Sequence, residues 1–198
     1  MKHFSKTLLA SCLLSLTAVN AFAGDTCPDA TTAAIDAKYG AALDGTSTSA
    51  MTTCLARREN VKTVVSVNSA DWNAKAGKAR QVGNIFNLVD NYVDMYGMEA
   101  GKDFEVVAIG YAAGARWWLT DEAFDRLHGT KPDVFEPNPT KASVLAMLSK
   151  GVTIVMCQNT MKSNGYLTAD LIPGVNMIPS GVSGIVDFQY RGYIYLNP

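Results

Sequence analysis

The chain has 198 residues, of which 48% are hydrophobic and 18% charged, and its formal net charge is −1 at pH 7. This length suits one domain with a sizeable core. Because a nucleic-acid-binding surface usually leaves a basic footprint, the slightly acidic composition excludes a nucleic-acid partner.

The first 23 residues have the pattern of a secretory signal peptide. Lys2 and Lys6 form a basic start, residues 7–19 a short apolar stretch, and residues 21–23 a small-x-small cleavage pattern. The apolar stretch is too short to span a bilayer, and no later segment is suited to spanning one, so we expect no membrane association. Cleavage before Gly24 would change the net charge to −3, and we expect a periplasmic protein.

Three cysteines remain after this cleavage, namely Cys27, Cys54 and Cys157. An odd number in an exported protein leaves at least one thiol free or paired between chains. We expect a disulfide between Cys27 and Cys54, which would staple an N-terminal extension over residues 24–59. The alternative, in which Cys157 pairs with one of them, stays open because spacing does not determine connectivity.

Strands and helices are predicted to alternate from residue 61 onward. The β-branched run 61–67 predicts a buried strand, and residues 71–73 a polar loop. Apolar residues at helical spacing over 82–96 then predict a helix that Gly97 ends. The later predicted strands cover residues 104–109, 152–156, 175–178 and 193–196. Predicted helices cover 121–128, capped by Thr120, and 142–150, with a loop over 131–139 between them. A last helix is predicted to start at Ser180, with Val182, Ile185, Val186 and Gln189 on one face.

This alternation predicts an α/β domain over residues 60–198 with a mostly parallel sheet and right-handed crossovers. Ligands of such sheets collect at the carboxyl ends of the strands, and Cys157 follows one of them. There the backbone N–H groups and the dipole of the following helix favour the reactive thiolate. The alternative is that Cys157 is a small buried hydrophobic residue.

Other residues could serve a site around Cys157. Asn159 and Thr160 could donate hydrogen bonds to bound sulfur, or merely cap the helix. Trp117, with Trp118 and Arg116 beside it, could wall a pocket, form a subunit interface or simply pack in the core. Arg116 could also attract an anion.

The sequence supports a metal site or a general base less strongly than it supports thiolate chemistry at Cys157. Met156, Cys157 and Met161 are soft ligands that suit Cu(I), although methionines commonly fill cores. His128 could be a general base, but we expect it to interact with the negative end of its helix. One histidine and no close cysteine pair make a poor zinc site, and we expect no cofactor.

Three segments carry a family resemblance: residues 152–161, the Val-Asn-Met-Ile-Pro-Ser-Gly-Val run at 175–182, and the Gln-Tyr-Arg-Gly-Tyr-Ile-Tyr run at 189–195. Together they resemble the exported branch of the DsrE/DsrF-like family. The resemblance implies a flavodoxin-like three-layer domain that assembles as a homo-oligomer, a trimer or a hexamer. It also implies a sulfurtransferase-like sulfur carrier in which Cys157 occupies the persulfide position.

The sequence thus favours a periplasmic protein that binds or relays reduced sulfur through Cys157. Its partners would be a small sulfur species or the thiol of a partner protein. The alternative is a non-catalytic ligand-binding or Cu(I)-binding periplasmic module.

Overall fold

The computed structural model describes residues 60–95 and 97–198. The predicted signal peptide (1–23), the extension (24–59) and the Cys27–Cys54 disulfide lie outside these residues. No helix among the residues described is long and apolar enough to cross a membrane.

The centre of the domain is a five-stranded sheet in which every pairing is parallel. The strands of the described residues are β1 (Val61–Val67), β2 (Trp72–Asn73), β3 (Lys78–Ala79), β4 (Phe104–Gly110), β5 (Thr153–Cys157), β6 (Asn176–Ile178) and β7 (Ile194–Leu196). The order in the central sheet is β6-β5-β4-β1-β7, and a separate two-stranded sheet joins β2 to β3. The predicted α/β class with a mostly parallel sheet is confirmed.

The helices connect these strands nearly where the sequence predicts them. They are α1 (Arg80–Asp90), α2 (Asp121–His128), α3 (Lys141–Ser149), α4 (Gln158–Asn164) and α5 (Gly181–Tyr190). Thr120 caps α2, because its side chain accepts a hydrogen bond from the Ala123 N–H. A π-helical turn, Asn91–Met95, prolongs α1, and Gly97 follows with the predicted positive φ of 66°. The predicted loop at 71–73 is wrong in part, since Trp72–Asn73 pairs with Lys78–Ala79.

Alternate side chains of the central strands enter two separate cores. The larger core packs helices α1 to α4 on one face of the sheet, against residues such as Val65, Ala108 and Ile154. The smaller core lies on the other face, where Val64 and Val107 pack with Ile185 of α5. Among the described helices, α5 therefore covers its face by itself.

The connections that follow β5 and β6 run to opposite faces of the sheet. The chain leaves β5 into α4, which packs in the larger core, and leaves β6 into α5, on the opposite face. In open parallel sheets, such a reversal opens a crevice at the carboxyl ends of the two strands. Cys157 is the last residue of β5, so it lies at this crevice.

Of the four residues predicted to share one face of α5, namely Val182, Ile185, Val186 and Gln189, only Ile185 is buried. Ile185 is buried with Gly181 and Gly184, whereas Val182 and Val186 are 61% and 47% exposed. Glycine lets the helix backbone approach the sheet, since a Cβ on Gly184 would lie 2.3 Å from Ile178 Cδ1. The inward face is therefore the glycine face, and the two valines point outward.

Candidate functional site

The Cys157 thiol lies at the junction between β5 and α4. Its backbone is extended (φ −75°, ψ 116°), and it is the N-cap residue of α4. The residue is only 4% exposed, and its thiol is free. The strand-to-helix position predicted for Cys157 is thus confirmed.

Hydrogen-bond donors from two helices converge on the Cys157 sulfur. The Gly181 N–H, at the first residue of α5, donates to Sγ over 3.2 Å. In addition, the backbone N–H groups of Asn159 and Thr160 and the Thr160 hydroxyl favour the thiolate and lower the pKa of Cys157. Burial raises the pKa of the thiol, but these four donors together outweigh burial and lower the pKa below its ordinary value. The site therefore favours the thiolate.

A hydrogen bond from the turn after β4 holds the Thr160 hydroxyl in place. The Ala112 N–H donates to Thr160 Oγ1 over 3.1 Å, so the hydroxyl proton stays available for donation to another acceptor. Ala112 has a φ of 47°, in the left-handed region, which costs a non-glycine residue roughly 1–2 kcal/mol. The turn after β4 thus adopts a strained conformation at the point where it supports the residue that contacts Cys157.

A glycine is required where α5 begins beside the thiol. A Cβ on Gly181 would lie 2.9 Å from the Cβ of Tyr111, closer than real side chains approach each other. The Tyr111 hydroxyl in turn accepts a hydrogen bond from Asn68 Nδ2 over 3.3 Å. Gln81 Oε1 accepts from the N–H groups of Asn68 and Ser69, both over 2.9 Å, and so fixes the turn after β1. Sequence reasoning missed these contacts.

The two residues predicted to follow Cys157 contribute in different ways. Thr160 is buried and uses both its hydroxyl and its N–H. Asn159 is exposed, and the contribution that it makes to the sulfur comes from its backbone N–H. That N–H also bonds to the Pro179 carbonyl over 3.3 Å, which links α4 to the segment before α5.

Trp117 and Trp118 are core residues, so their interpretation as a subunit interface is wrong. Trp117 stacks on Phe124 with ring centres 5.9 Å apart, and its indole N–H donates to the Ser69 carbonyl over 3.0 Å. Trp118 is fully buried against Gly110, where a Cβ would lie 2.0 Å from the indole nitrogen. Both side chains face inward because they lie on the short 3-10 helix that caps the larger core.

Arg116 belongs to a second polar cluster with His128 and Tyr166. His128 Nε2 and the Tyr166 hydroxyl are 2.7 Å apart. Burial, and then the charge of Arg116, lower the pKa of His128 to about 4, so it is neutral at pH 7. The expected charge interaction of His128 with the end of its helix is therefore wrong. The Nε of Arg116 is buried and has no hydrogen-bond partner among the residues described.

The structure does not bring the predicted soft ligands together. Met156 and Met161 pack in the larger core, whereas the sulfur of Cys157 faces α5 on the other side of the sheet. Within residues 60–95 and 97–198, no three His, Cys, Asp or Glu side chains form a group that could hold a metal ion.

Comparison with known proteins identifies the family. The DsrE/DsrF-like family model matches residues 64–198. Among solved structures, a protein of unknown function from Methanobacterium thermoautotrophicum, MTH1491, is 22% identical over 71% of this chain and 99% of its own, with a TM-score of 0.49. The ychN protein from E. coli is 16% identical over 70% of this chain and 99% of its own, with a TM-score of 0.45. No curated protein matches significantly. Because the family model covers more than half of its length, the chain belongs to the DsrE/DsrF-like family.

Proposed function

We propose that the protein takes up sulfane sulfur on Cys157 as a persulfide and passes it to an acceptor thiol. The observation that carries this proposal is the hydrogen bond from the Gly181 N–H to the buried Cys157 sulfur, whose pKa is also lowered by Asn159 and Thr160. Donors arranged in this way stabilise the thiolate, which is the nucleophile in sulfur exchange. The same donors suit the negative charge that develops when a persulfide releases its outer sulfur.

The proposed exchange needs no external oxidant or reductant. The Cys157 thiolate attacks the outer sulfur of a donor persulfide, R–S–SH. A new S–S bond forms on Cys157 while the S–S bond of the donor breaks, and the bonding electron pair leaves with the donor as R–S⁻, which takes a proton from water. The outer sulfur keeps its hydrogen and its oxidation state. An acceptor thiolate then repeats the attack on the Cys157 persulfide.

The burial of Cys157 bears on which reagents can reach it. At 4% exposure, the residue admits small sulfur species more easily than bulky electrophiles. A sheltered persulfide is also protected from unselective reaction with other thiols. We therefore expect polysulfide to react faster with the native protein than a large maleimide does, whereas unfolding should abolish this difference.

A transfer experiment tests the proposal. The purified protein is treated with polysulfide, freed of excess reagent and mixed with a small acceptor thiol, and the sulfur that appears on the acceptor is measured. We expect about one sulfur per chain from the native protein and none from Cys157→Ser. A variant with both Cys27→Ser and Cys54→Ser is the matched control, since it leaves no unpaired cysteine of the expected disulfide behind, and it should transfer like the native protein. Equal transfer by Cys157→Ser and the native protein would refute the proposal.

We also propose that the protein acts in the periplasm as a homo-oligomer. Support for export comes from the pattern of residues 1–23. Support for assembly comes from the outer side of α5 and β7, where Val182, Val186, Tyr190 and Ile194 are exposed together. Cell fractionation tests the location. Light scattering of the native protein and of Val186→Asp tests assembly. We expect a trimer or hexamer only for the native protein, and a monomeric native protein would overturn the proposed assembly.

A further inference from the structure

Tyr111 lies beside Cys157 at the carboxyl edge of the sheet. The parallel pairing of β4 with β5 aligns Gly110 with Met156. Tyr111 and Cys157 are the next residue in each case, so they are neighbours at this edge. Tyr111 is half-buried and packs against the smaller core, on the face that α5 covers. It therefore lies on the same side of the sheet as the helix that donates to the thiol.

The Tyr111 side chain is in close contact with the first residue of α5. A Cβ placed on Gly181 would lie 2.9, 3.0 and 3.1 Å from Cβ, Cγ and Cδ1 of Tyr111, so the helix backbone packs directly on the tyrosine. The N–H of the same glycine donates to the Cys157 sulfur over 3.2 Å. Because close-packed groups transmit displacements to one another, this contact sets the distance between the donor and the sulfur.

Tyr111 is held from the side of β1. Its backbone N–H donates to the Val67 carbonyl over 3.0 Å, and its hydroxyl accepts a hydrogen bond from Asn68 Nδ2 over 3.3 Å. The amide oxygen of Asn68 accepts in turn from Gln81 Nε2 over 3.1 Å. Both ends of the tyrosine are thus bonded to β1 or to the turn that follows it, and the ring cannot follow α5 if the helix moves.

Gln81 fixes that turn with all of its hydrogen-bonding groups. Its Oε1 accepts from the N–H groups of Asn68 and Ser69, both over 2.9 Å. Its Nε2 donates to the side-chain oxygens of Asn68 and Asn197, both over 3.1 Å. The residue is only 6% exposed, and a buried polar network whose groups are all satisfied is rigid. The support behind Tyr111 is therefore a fixed part of the fold.

We propose that Tyr111 is a positioning residue for the chemistry at Cys157, because its ring holds the start of α5 where the Gly181 N–H reaches the sulfur. Tyr111 acts through the helix, since its hydroxyl is bonded to Asn68. The inference rests on the proposed function in one respect, namely that it identifies a residue that would set the reactivity of Cys157 in sulfur transfer. The hydrogen bond itself can be measured without any sulfur donor.

Three variants separate positioning from packing. Tyr111→Leu removes the ring, whereas Tyr111→Phe keeps the ring against Gly181. Tyr193→Leu is the matched control, because Tyr193 packs on Phe188 near the other end of α5, with ring centres 5.0 Å apart. In each protein, the pKa of Cys157 is measured by NMR from its labelled Cβ, together with the shift of the Gly181 amide proton over the same pH range. Urea titration verifies that each variant is folded.

We expect Tyr111→Leu to raise the pKa of Cys157 by about one unit, which is the order of one weakened hydrogen bond to a charged sulfur. The Gly181 amide proton should titrate with the thiol in the native protein and lose most of that response in the leucine variant. Tyr111→Phe should restore both readouts, and Tyr193→Leu should lower the urea midpoint without changing either. Where leucine prevents folding, Tyr111→Met replaces it with the same expectation, because a flexible thioether fills the space without fixing the helix.

Three outcomes would overturn the inference: an unchanged pKa of Cys157 in Tyr111→Leu, an equal rise in Tyr193→Leu, or an equal rise in Tyr111→Phe. Failure of the proposed function looks different. If the pKa of Cys157 depends on Tyr111 as expected, while the native protein takes up no sulfur from polysulfide, the positioning role stands and the persulfide cycle is wrong.

Discussion

Replacing Thr160 with valine removes the side-chain hydrogen bond to the Cys157 sulfur while preserving the shape of the side chain. The Thr160 hydroxyl accepts from the Ala112 N–H over 3.1 Å and bonds to the thiol on its other side. Valine can do neither, whereas Thr160→Ser retains the hydroxyl. The comparison of Val with Ser therefore isolates the contribution of one hydrogen bond to the ionisation of Cys157.

The size of the effect follows from the partner being a charged sulfur. A hydrogen bond to a charged group contributes about 1.5–3 kcal/mol. At about 1.36 kcal/mol per pKa unit, its loss should raise the pKa of Cys157 by roughly one to two units. The N–H groups of Gly181, Asn159 and Thr160 remain, so part of the pKa depression should persist. The unpartnered Ala112 N–H should also cost about 1–3 kcal/mol of folding free energy.

The thiol pKa can be measured from the NMR shift of isotopically labelled Cys157 Cβ during a pH titration. The free energy of unfolding comes from urea titration of the same samples. We expect the valine variant to titrate higher than the native protein, and the serine variant to titrate close to it. If valine and serine give the same pKa, the hydroxyl does not stabilise the thiolate, and the electrostatic account of the site is refuted.

Three further predictions concern neighbouring groups. Gly181→Ala should lower the melting temperature and raise the pKa of Cys157, because the added Cβ meets Tyr111 at 2.9 Å and displaces the N–H from the sulfur. NMR titration of His128 should give a midpoint of about 4, and, because the folded state then resists protonation, stability should fall as the pH drops from about 6.5 to 4. The Asp170 carboxylate accepts hydrogen bonds from Arg126 over 2.6 Å and from the Leu167 N–H over 2.8 Å, so Asp170→Asn should cost roughly 1–3 kcal/mol at pH 7 by urea titration. The pKa of Asp170 is lowered, so its stabilisation is lost as the pH falls through that pKa, and the gap between variant and native protein should close in acid.

Local sequence patterns predicted most of the fold. The β-branched run of β1 and the apolar spacing of α1 predict which side chains are buried. The side chains of a strand repeat their direction every two residues, and those of a helix every 3.6 residues. The same logic does not identify the buried face of α5. Its valines have the helical period of a buried face, but glycines at 181 and 184 let the backbone approach the sheet, and Val182 and Val186 are exposed. Periodicity counts apolar side chains and does not detect packing through glycine.

The candidate site could be predicted only in its local part. Cys157 and Thr160 are three residues apart, and Cys157 directly precedes the helix that contains Thr160. Their proximity therefore follows from the local sequence. Gly181 and Ala112 approach the site through the sheet, from 24 and 45 residues away, and no short-range pattern predicts that. The Pro-Ser-Gly-Val segment, which carries the resemblance to the family, was the available signal for Gly181.

The most direct test of the account locates the sulfur itself. The native protein is exposed to polysulfide, alkylated with a small reagent without unfolding, digested and analysed by mass spectrometry. The account predicts one additional sulfur atom on the peptide that contains Cys157, bound between the cysteine and the alkyl group. An unmodified Cys157 peptide that reacts with the reagent only after denaturation would contradict it and would leave Cys157 a buried structural residue.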